Sequence, residues 1–368
     1  ASVEIAQQSM MKVQLARDVV DRIVGGNETV YGINTGFGSL VNTKVSQDDV
    51  EQLQINLIRS HATGLGPNLP TEIVRAMMCV RLNSLVKGHS GCHPDVVNQL
   101  LDFINNSIHP LIPRIGSLGA SGDLAPLSHL ACALVGEGDV EYNGEILSAM
   151  DAIRQCDMAP LTLKAKDGLS LINGTSLITG MLAVSVEQLR LLTTYSDIVA
   201  AMSIDATDSS LTPFDKRIHE IRPHPGQIFV AQRISQILVD SQIVSNSSNS
   251  KRVQDPYSFR CIPQVHGPVN ESLEKLIQTV DVELNSSTDN PLIFPDVEQP
   301  GSHEVMSQGN FHGEVLALVS DSMSLGLFEL SSISERRIDQ MLDPSRLAIQ
   351  PFLASKPGLE SGLMIVQY

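Results

Sequence analysis

The sequence predicts a mainly α chain, a long antiparallel helical bundle with few short strands. Three observations lead there. Several apolar-periodic stretches run beyond about 20 residues, which suits a bundle better than an α/β sheet. Glycine and proline clusters fall between those stretches rather than inside them. Only one segment, Glu141-Tyr-Asn-Gly-Glu145, reads clearly as a hairpin, with Asn-Gly at its turn.

Taken in order, residues 2–24 carry Val3, Ile5, Met10, Val13, Ala16, Val20 and Ile23 at helical spacing, and Gly25-Gly26 stops that helix. Tyr31-Gly-Ile-Asn-Thr-Gly-Phe-Gly38 is a glycine-rich loop, expected to be mobile. Amphipathic helices follow over 47–59 and 71–87, with Arg59-Ser-His-Ala-Thr-Gly-Leu-Gly66 between them. A helix over 94–106 leads through Pro110 and Pro113 to a small, polar stretch at 116–123. A helix over 124–136, the hairpin, and a short helix over 148–156 come next. Leu171-Ile-Asn-Gly-Thr175 opens a long helix to about residue 202. Pro223-His-Pro-Gly226 breaks the chain before a helix over 227–243. Ser245-Asn-Ser-Ser-Asn-Ser250 is low in complexity and flexible. A helix over 267–287, a surface loop at 296–304 and a long helix from Gly309 to about 341 complete the reading.

The 368 residues allow two or more domains or one large one. With 25 basic and 41 acidic residues the net charge is −16. That balance argues against nucleic-acid and membrane-surface partners and favours a soluble cytoplasmic protein. The five cysteines are scattered with no C-x-x-C, so reduced thiols and no structural zinc are expected. No signal peptide is read at the start. The uncharged run 168–186 is long enough for a bilayer. Its Ser170, Asn173, Gly174, Thr175, Ser176 and Thr179 favour a buried helix with a functional loop at its start.

Gly116-Ser-Leu-Gly-Ala-Ser-Gly-Asp123 is the stretch to read for chemistry, although most glycine-rich turns that open a helix cradle an anion or simply turn. In a tight Ala120-Ser121-Gly122 turn, the Gly122 amide nitrogen can attack the Ala120 carbonyl carbon. Loss of two waters then yields an imidazolone ring with an exocyclic methylene from Ser121. The product is 4-methylidene-imidazole-5-one (MIO), an electrophile made from the chain itself. A side chain at position 122 would obstruct that close approach. Other glycine motifs fit less well. The glycines at 116, 119 and 122 miss G-x-G-x-x-G, and Asp123 stands where the nucleophile elbow G-x-S-x-G needs glycine. Asp123 can cap the following helix while its carboxylate assists dehydration. Read alone, Tyr31 is a half-buried loop tyrosine, His61 a structural hydrogen-bonder, Asn173 a helix cap, Arg260 a surface charge and Phe311 a core aromatic.

Together, Tyr31–Gly38, Gly116–Leu130, Leu171–Thr175, Val253-Gln-Asp-Pro-Tyr-Ser-Phe-Arg260 and Gly309-Asn-Phe-His-Gly-Glu314 resemble the histidine/aromatic amino acid ammonia-lyase family. The motifs keep family order nearly end to end. The resemblance implies the ammonia-lyase/fumarase-like helical architecture, MIO as the only cofactor, no metal, and a homotetramer whose sites combine residues of different subunits. It divides the chain at 165: 1–165 a mostly helical region bearing MIO, 166–368 a central long-helix bundle. It makes Tyr31 the base for the substrate β-proton, helped by the positive potential of helix N-termini. Asn173 and Tyr257 join Ala120, Ser121 and Gly122 at the reacting centre. His61, Gln254, Arg260 and Phe311 bind substrate, with Arg260 on the carboxylate because its planar fork matches that group. The Ser60-His61 pair resembles histidine ammonia-lyases and some tyrosine aminomutases. The implied reaction is non-oxidative deamination of an L-amino acid, L-histidine giving trans-urocanate and ammonia. Tyrosine ammonia-lyase, tyrosine 2,3-aminomutase and an inactive scaffold of the same fold are the alternatives. Family members extend further at both ends, and the part beyond residue 368 is expected to carry the carboxylate that faces the imidazole.

Overall fold

A computed structural model describes residues 2–26, 29–36, 49–245, 253–296, 303–345 and 349–368. Phe37 and Gly38 of the expected mobile loop and residues 246–250 of the low-complexity run lie outside them. The helices are α1 Gln7–Gly25, α2 Val50–His61, α3 Thr71–Leu85, α4 Pro94–Asn105, α5 Leu124–Leu134, α6 Ala149–Gln155, α7 Asp167–Ile172 and α8 Ser176–Ala206. They continue with α9 Lys216–Glu220, α10 Pro225–Ile237, α11 Gln242–Ser245, α12 Tyr257–Arg260, α13 Ile262–Leu284, α14 Glu314–Leu342 and α15 Met364–Gln367. The strands are short: β1 Leu65–Asn68, β2 His109–Pro110, β3 Pro113–Ile115, β4 Asp139–Tyr142, β5 Glu145–Ser148, β6 Leu292–Pro295 and β7 His303–Met306. The chain is therefore mainly α with few short strands.

The chain divides into two compact units: Ala1–Val184 with Thr279–Ala317, and Ser185–Gln278 with Leu318–Tyr368. The first unit is built around a core that includes Met77, Met78, Leu100, Phe103, Ile104, Leu127 and Leu130, all fully buried. Each such side chain contributes roughly 1.5–3 kcal/mol of transfer free energy. On α4 the buried residues Val96, Val97, Leu100, Phe103 and Ile104 repeat at three and four, and Pro94 opens the helix where its missing N–H costs nothing.

Three small antiparallel sheets edge this unit: β1 with β3, β2 with β4 and β5, and β6 with β7. In the hairpin, Asp139 pairs with Ser148 and Tyr142 with Glu145. Asn143 and Gly144 turn it at φ of 52° and 81°, as a two-residue hairpin requires. The surface loop expected at 296–304 gives way at its end to β7, whose His303 pairs with Pro295.

The helix expected over 2–24 begins at Gln7, the one over 227–243 ends at Ile237 before a separate α11, and the largest change falls at residues 173–175. Instead of a single helix from Leu171, α7 stops at Ile172 and α8 starts at Ser176. The break falls at Gly174, where φ is 149°. The stretch 165–177 is buried throughout, as core helices are. By length and composition, 167–206 and α14 reach the apolarity of a membrane span.

The second unit has its own core, with Ala200, Ile204, Phe214, Val230, Ile234, Phe259 and Ile262 buried. Its charged centre is a chain of polar contacts. Arg233 donates to Asp197 at 2.9 Å, Asp197 meets His266 Nδ1 at 2.7 Å, and His266 Nε2 faces Arg337 at 3.3 Å. Arg337 Nε then donates to the Ser258 carbonyl at 3.0 Å, bracing α12 from beneath.

Candidate active site

The Ala120-Ser121-Gly122 turn lies between β3 and α5 in the first unit. Gly122 N donates to Gly119 O at 3.3 Å, and Ala120 and Gly122 are bridge partners, so the turn is tight. Gly122 sits at φ 71°. A Cβ there would lie 2.4 Å from Gly174 O and 2.8 Å from Gly174 N, so only glycine fits against that backbone.

The α7–α8 break is what the turn rests on. Asp123 N donates to Gly174 O at 2.7 Å. Asn173 Nδ2 donates to Ser121 O at 3.1 Å. Asn173 thus closes α7 with its backbone and reaches the turn with its side chain, and does not serve as an N-cap. Asp123 departs from expectation in a similar way. It stands at the N-cap position of α5 but makes no side-chain cap there. Its carboxylate caps α8, accepting from Leu177 N at 2.8 Å and Ile178 N at 3.1 Å, and takes the Ser117 hydroxyl at 2.7 Å. Burial pushes the Asp123 carboxyl above the usual carboxylate range, against the pull of those three donors.

Arg81 holds the break from below. Its guanidinium is fully buried, donates to Asn173 O at 2.9 Å and also donates to Ser170 O. A cation on the last carbonyls of α7 complements the negative helix end. Sequence reasoning passed over Arg81, although a signal existed. Val74, Met77, Met78, Arg81 and Leu85 are all buried along α3, and Arg81 falls on that apolar stripe.

Two further segments of the first unit approach the turn, and the segment of Tyr31 packs on α7. Gly119 O accepts from Gly313 N at 2.9 Å, which ties in the 309–313 turn that carries Phe311. Leu65 pairs with Ile115 across β1 and β3, one residue before Gly116. This places the 61–64 segment next to the stretch, and Gly64 N donates to His129 Nε2 at 3.1 Å. His61, the last residue of α2, meets Leu57 O at 2.9 Å and Ser60 Oγ at 3.0 Å through Nδ1. Half-buried Tyr31 opens a turn whose Gly32, at φ 77°, lies within 2.7 Å of Leu169 on α7 once a Cβ is placed on it.

The remaining candidates sit together in the second unit. Arg260 Nε donates to Asp255 O at 2.7 Å, and its guanidinium lies 4.9 Å over the Tyr257 ring. With its amide oxygen turned toward the guanidinium, Gln254 accepts from Arg260 Nη2 at 2.7 Å. These three line a cavity of about 640 Å³, and Tyr257 is 74 % exposed. A fork already oriented by Gln254 and Asp255, beside an aromatic face, is suited to a carboxylate.

The profile of the aromatic amino acid lyase family matches residues 1–368. A histidine ammonia-lyase of Geobacillus thermodenitrificans is 46 % identical over 367 residues, covering 100 % of this chain and 71 % of that protein. Among solved structures, a histidine ammonia-lyase from Trypanosoma cruzi superposes with a TM-score of 0.88 at 40 % identity, over 100 % of this chain and 67 % of that one. A tyrosine aminomutase from Streptomyces globisporus gives 0.89 at 35 % identity, over 100 % and 72 %. The chain belongs to the aromatic amino acid lyase family and is a carbon–nitrogen lyase.

Proposed function

We propose that this lyase deaminates L-histidine to trans-urocanate and ammonia, with MIO formed from Ala120, Ser121 and Gly122. The observation that carries the reading is the frame around those three residues. The Gly122 backbone is packed where a Cβ would strike Gly174 O at 2.4 Å, and Asn173 holds the Ser121 carbonyl. Both features suit a five-membered ring closed within the turn. To Asp123, buried and shifted toward its protonated form, we assign the proton exchanges of the two dehydrations. Once formed, MIO supplies an electrophile for the substrate amino group.

The other groups follow from what the substrate presents. Arg260 binds the α-carboxylate through its fork, with Gln254 orienting it and Tyr257 beside it. Tyr31 takes the β-proton. The electron pair of that C–H bond becomes the new double bond as the C–N bond breaks and ammonia leaves. His61 Nδ1 is committed to the Leu57 carbonyl, so Nε2 is the nitrogen it offers to the imidazole. Phe311 walls the pocket, and Asn173 contacts both the ring and the substrate.

We place the protein in the cytoplasm as a homotetramer. Its charge of −16 supports the first part. Exposed Leu191, Leu192, Tyr195 and Val199 on α8, and Leu325 and Phe328 on α14, support the second, since an assembly would cover them. The likeness to a tyrosine aminomutase gives the second reading, in which ammonia returns to the β-carbon of tyrosine. Intact mass tests MIO directly. The peptide holding Ser121 should weigh two waters less than its sequence, and full mass there would favour an inactive scaffold.

A further inference from the structure

Gly64 is a junction of three segments that the proposed reaction needs in register. It lies three residues after His61 and immediately before β1. A Cβ placed on it would meet His129 Nε2 at 2.9 Å and Pro113 Cβ at 3.0 Å. A Cβ placed on Gly116 would meet Gly64 Cα at 3.3 Å and Ala125 Cβ at 3.2 Å. The backbone at Gly64 is therefore packed between β3, the start of the Ala-Ser-Gly stretch, and α5. A directional bond ties α5 to this junction, from Gly64 N–H to His129 Nε2 at 3.1 Å.

That bond fixes the state of the imidazole. A backbone N–H can only donate, so Nε2 offers its lone pair and the proton sits on Nδ1. Burial lowers the pKa of His129, which favours the same neutral form. His129 stands on the helix that begins just after Asp123. It thus connects the helix that follows the Ala-Ser-Gly turn to the segment that carries His61.

We propose that His129 is a positioning residue for substrate recognition: its Nε2 lone pair fixes Gly64, and through Gly64 the placement of His61 relative to Ala120-Ser121-Gly122. The inference rests on the reading of His61 as a substrate contact. His129 itself touches no substrate. Its loss should weaken binding of the distal side chain in ground and transition states alike, raising KM and sparing kcat.

The test compares His129→Leu, which removes the acceptor, with His129→Gln, whose amide oxygen can take the same N–H. In the purified protein, His129→Leu should raise KM for L-histidine about tenfold, the factor expected when one hydrogen bond worth about 1.4 kcal/mol is lost. Its kcat should stay within about twofold, and the Ser121 peptide should still lose two waters, as uniform binding loss requires. His129→Gln should return KM to near the wild-type value. Hydrogen exchange at the Gly64 amide, read by mass spectrometry on the 62–68 peptide, should be faster in the Leu variant than in wild type and restored in the Gln variant. Equal KM and equal exchange in wild type and both variants would overturn the proposal, as would a loss confined to kcat. Should the wild type fail to turn over histidine, the function reading falls, while the exchange comparison still decides whether His129 holds Gly64.

Discussion

Gly122 has no room for a side chain, and its backbone adopts a conformation that an L-residue pays to enter. At φ 71°, a Cβ would sit 2.4 Å from Gly174 O, and that neighbour is main chain that cannot swing aside. Gly122→Ala should therefore cost on the order of 3 kcal/mol, from left-handed strain plus overpacking. The urea midpoint should drop accordingly, and the Ser121 peptide should keep its full mass. A variant as stable as wild type would contradict the packing described. Ser121 is the opposite case. Its side chain is exposed, so Ser121→Ala should leave stability within about 0.5 kcal/mol while turnover disappears. Retained activity would end the MIO reading. At this scale the sequence was informative about chemistry and silent about partners. Ala-Ser-Gly named the turn, but nothing local to Asp123 said that its carboxylate would cap α8, 54 positions away, instead of α5. The same holds for Arg81, a guanidinium on an apolar stripe whose use depends on where Ser170 and Asn173 come to lie.

Among the elements, α7 shows how buried charge is accommodated. Asp167, at its first position, is fully buried. It accepts from His93 N and Lys164 N at 2.8 Å each, and faces Arg17 of α1 at 3.3 Å. Burial raises its carboxyl from the ordinary 3.8 to about 6, against the pull of Arg17. The sign follows. Between those values the folded chain holds more protons at this site than the unfolded chain, so its contribution to stability is full below about pH 4 and is lost as pH rises through 6. Removing Arg17 takes away the cation and raises the carboxyl further. Arg17→Ala should cost roughly 3–5 kcal/mol at pH 7.5 and distinctly less at pH 5, where Asp167 can take a proton. Urea denaturation at the two pH values checks this, and an equal deficit at both would contradict it. Helical period placed most elements within a few residues, because their apolar faces repeat at three and four. It failed at residues 173–175, where a single apolar run covers two helices. The run is buried on all sides, so periodicity carries no boundary there, and only the conformation of Gly174 marks one.

Across the whole molecule, the mainly α class was legible from long periodic stretches and the scarcity of hairpin signals. The two compact units were not. Each joins stretches far apart in sequence, 1–184 with 279–317 in one, and no local pattern announces which distant segments share a core. The candidate residues were legible as motifs, and they fall into two local groups. Asn173 and Asp123 join the Ala-Ser-Gly turn, while Gln254, Tyr257 and Arg260 gather at the start of α12. Substrate identity is the most direct test of the proposed reaction. The purified protein should be incubated with L-histidine and, in parallel, with L-tyrosine, following the ultraviolet absorbance of the conjugated acid and identifying the products. Urocanate is expected from histidine, and no product from tyrosine. No urocanate, with coumarate or β-tyrosine formed from tyrosine, would contradict the proposed reaction and make His61 a phenol contact.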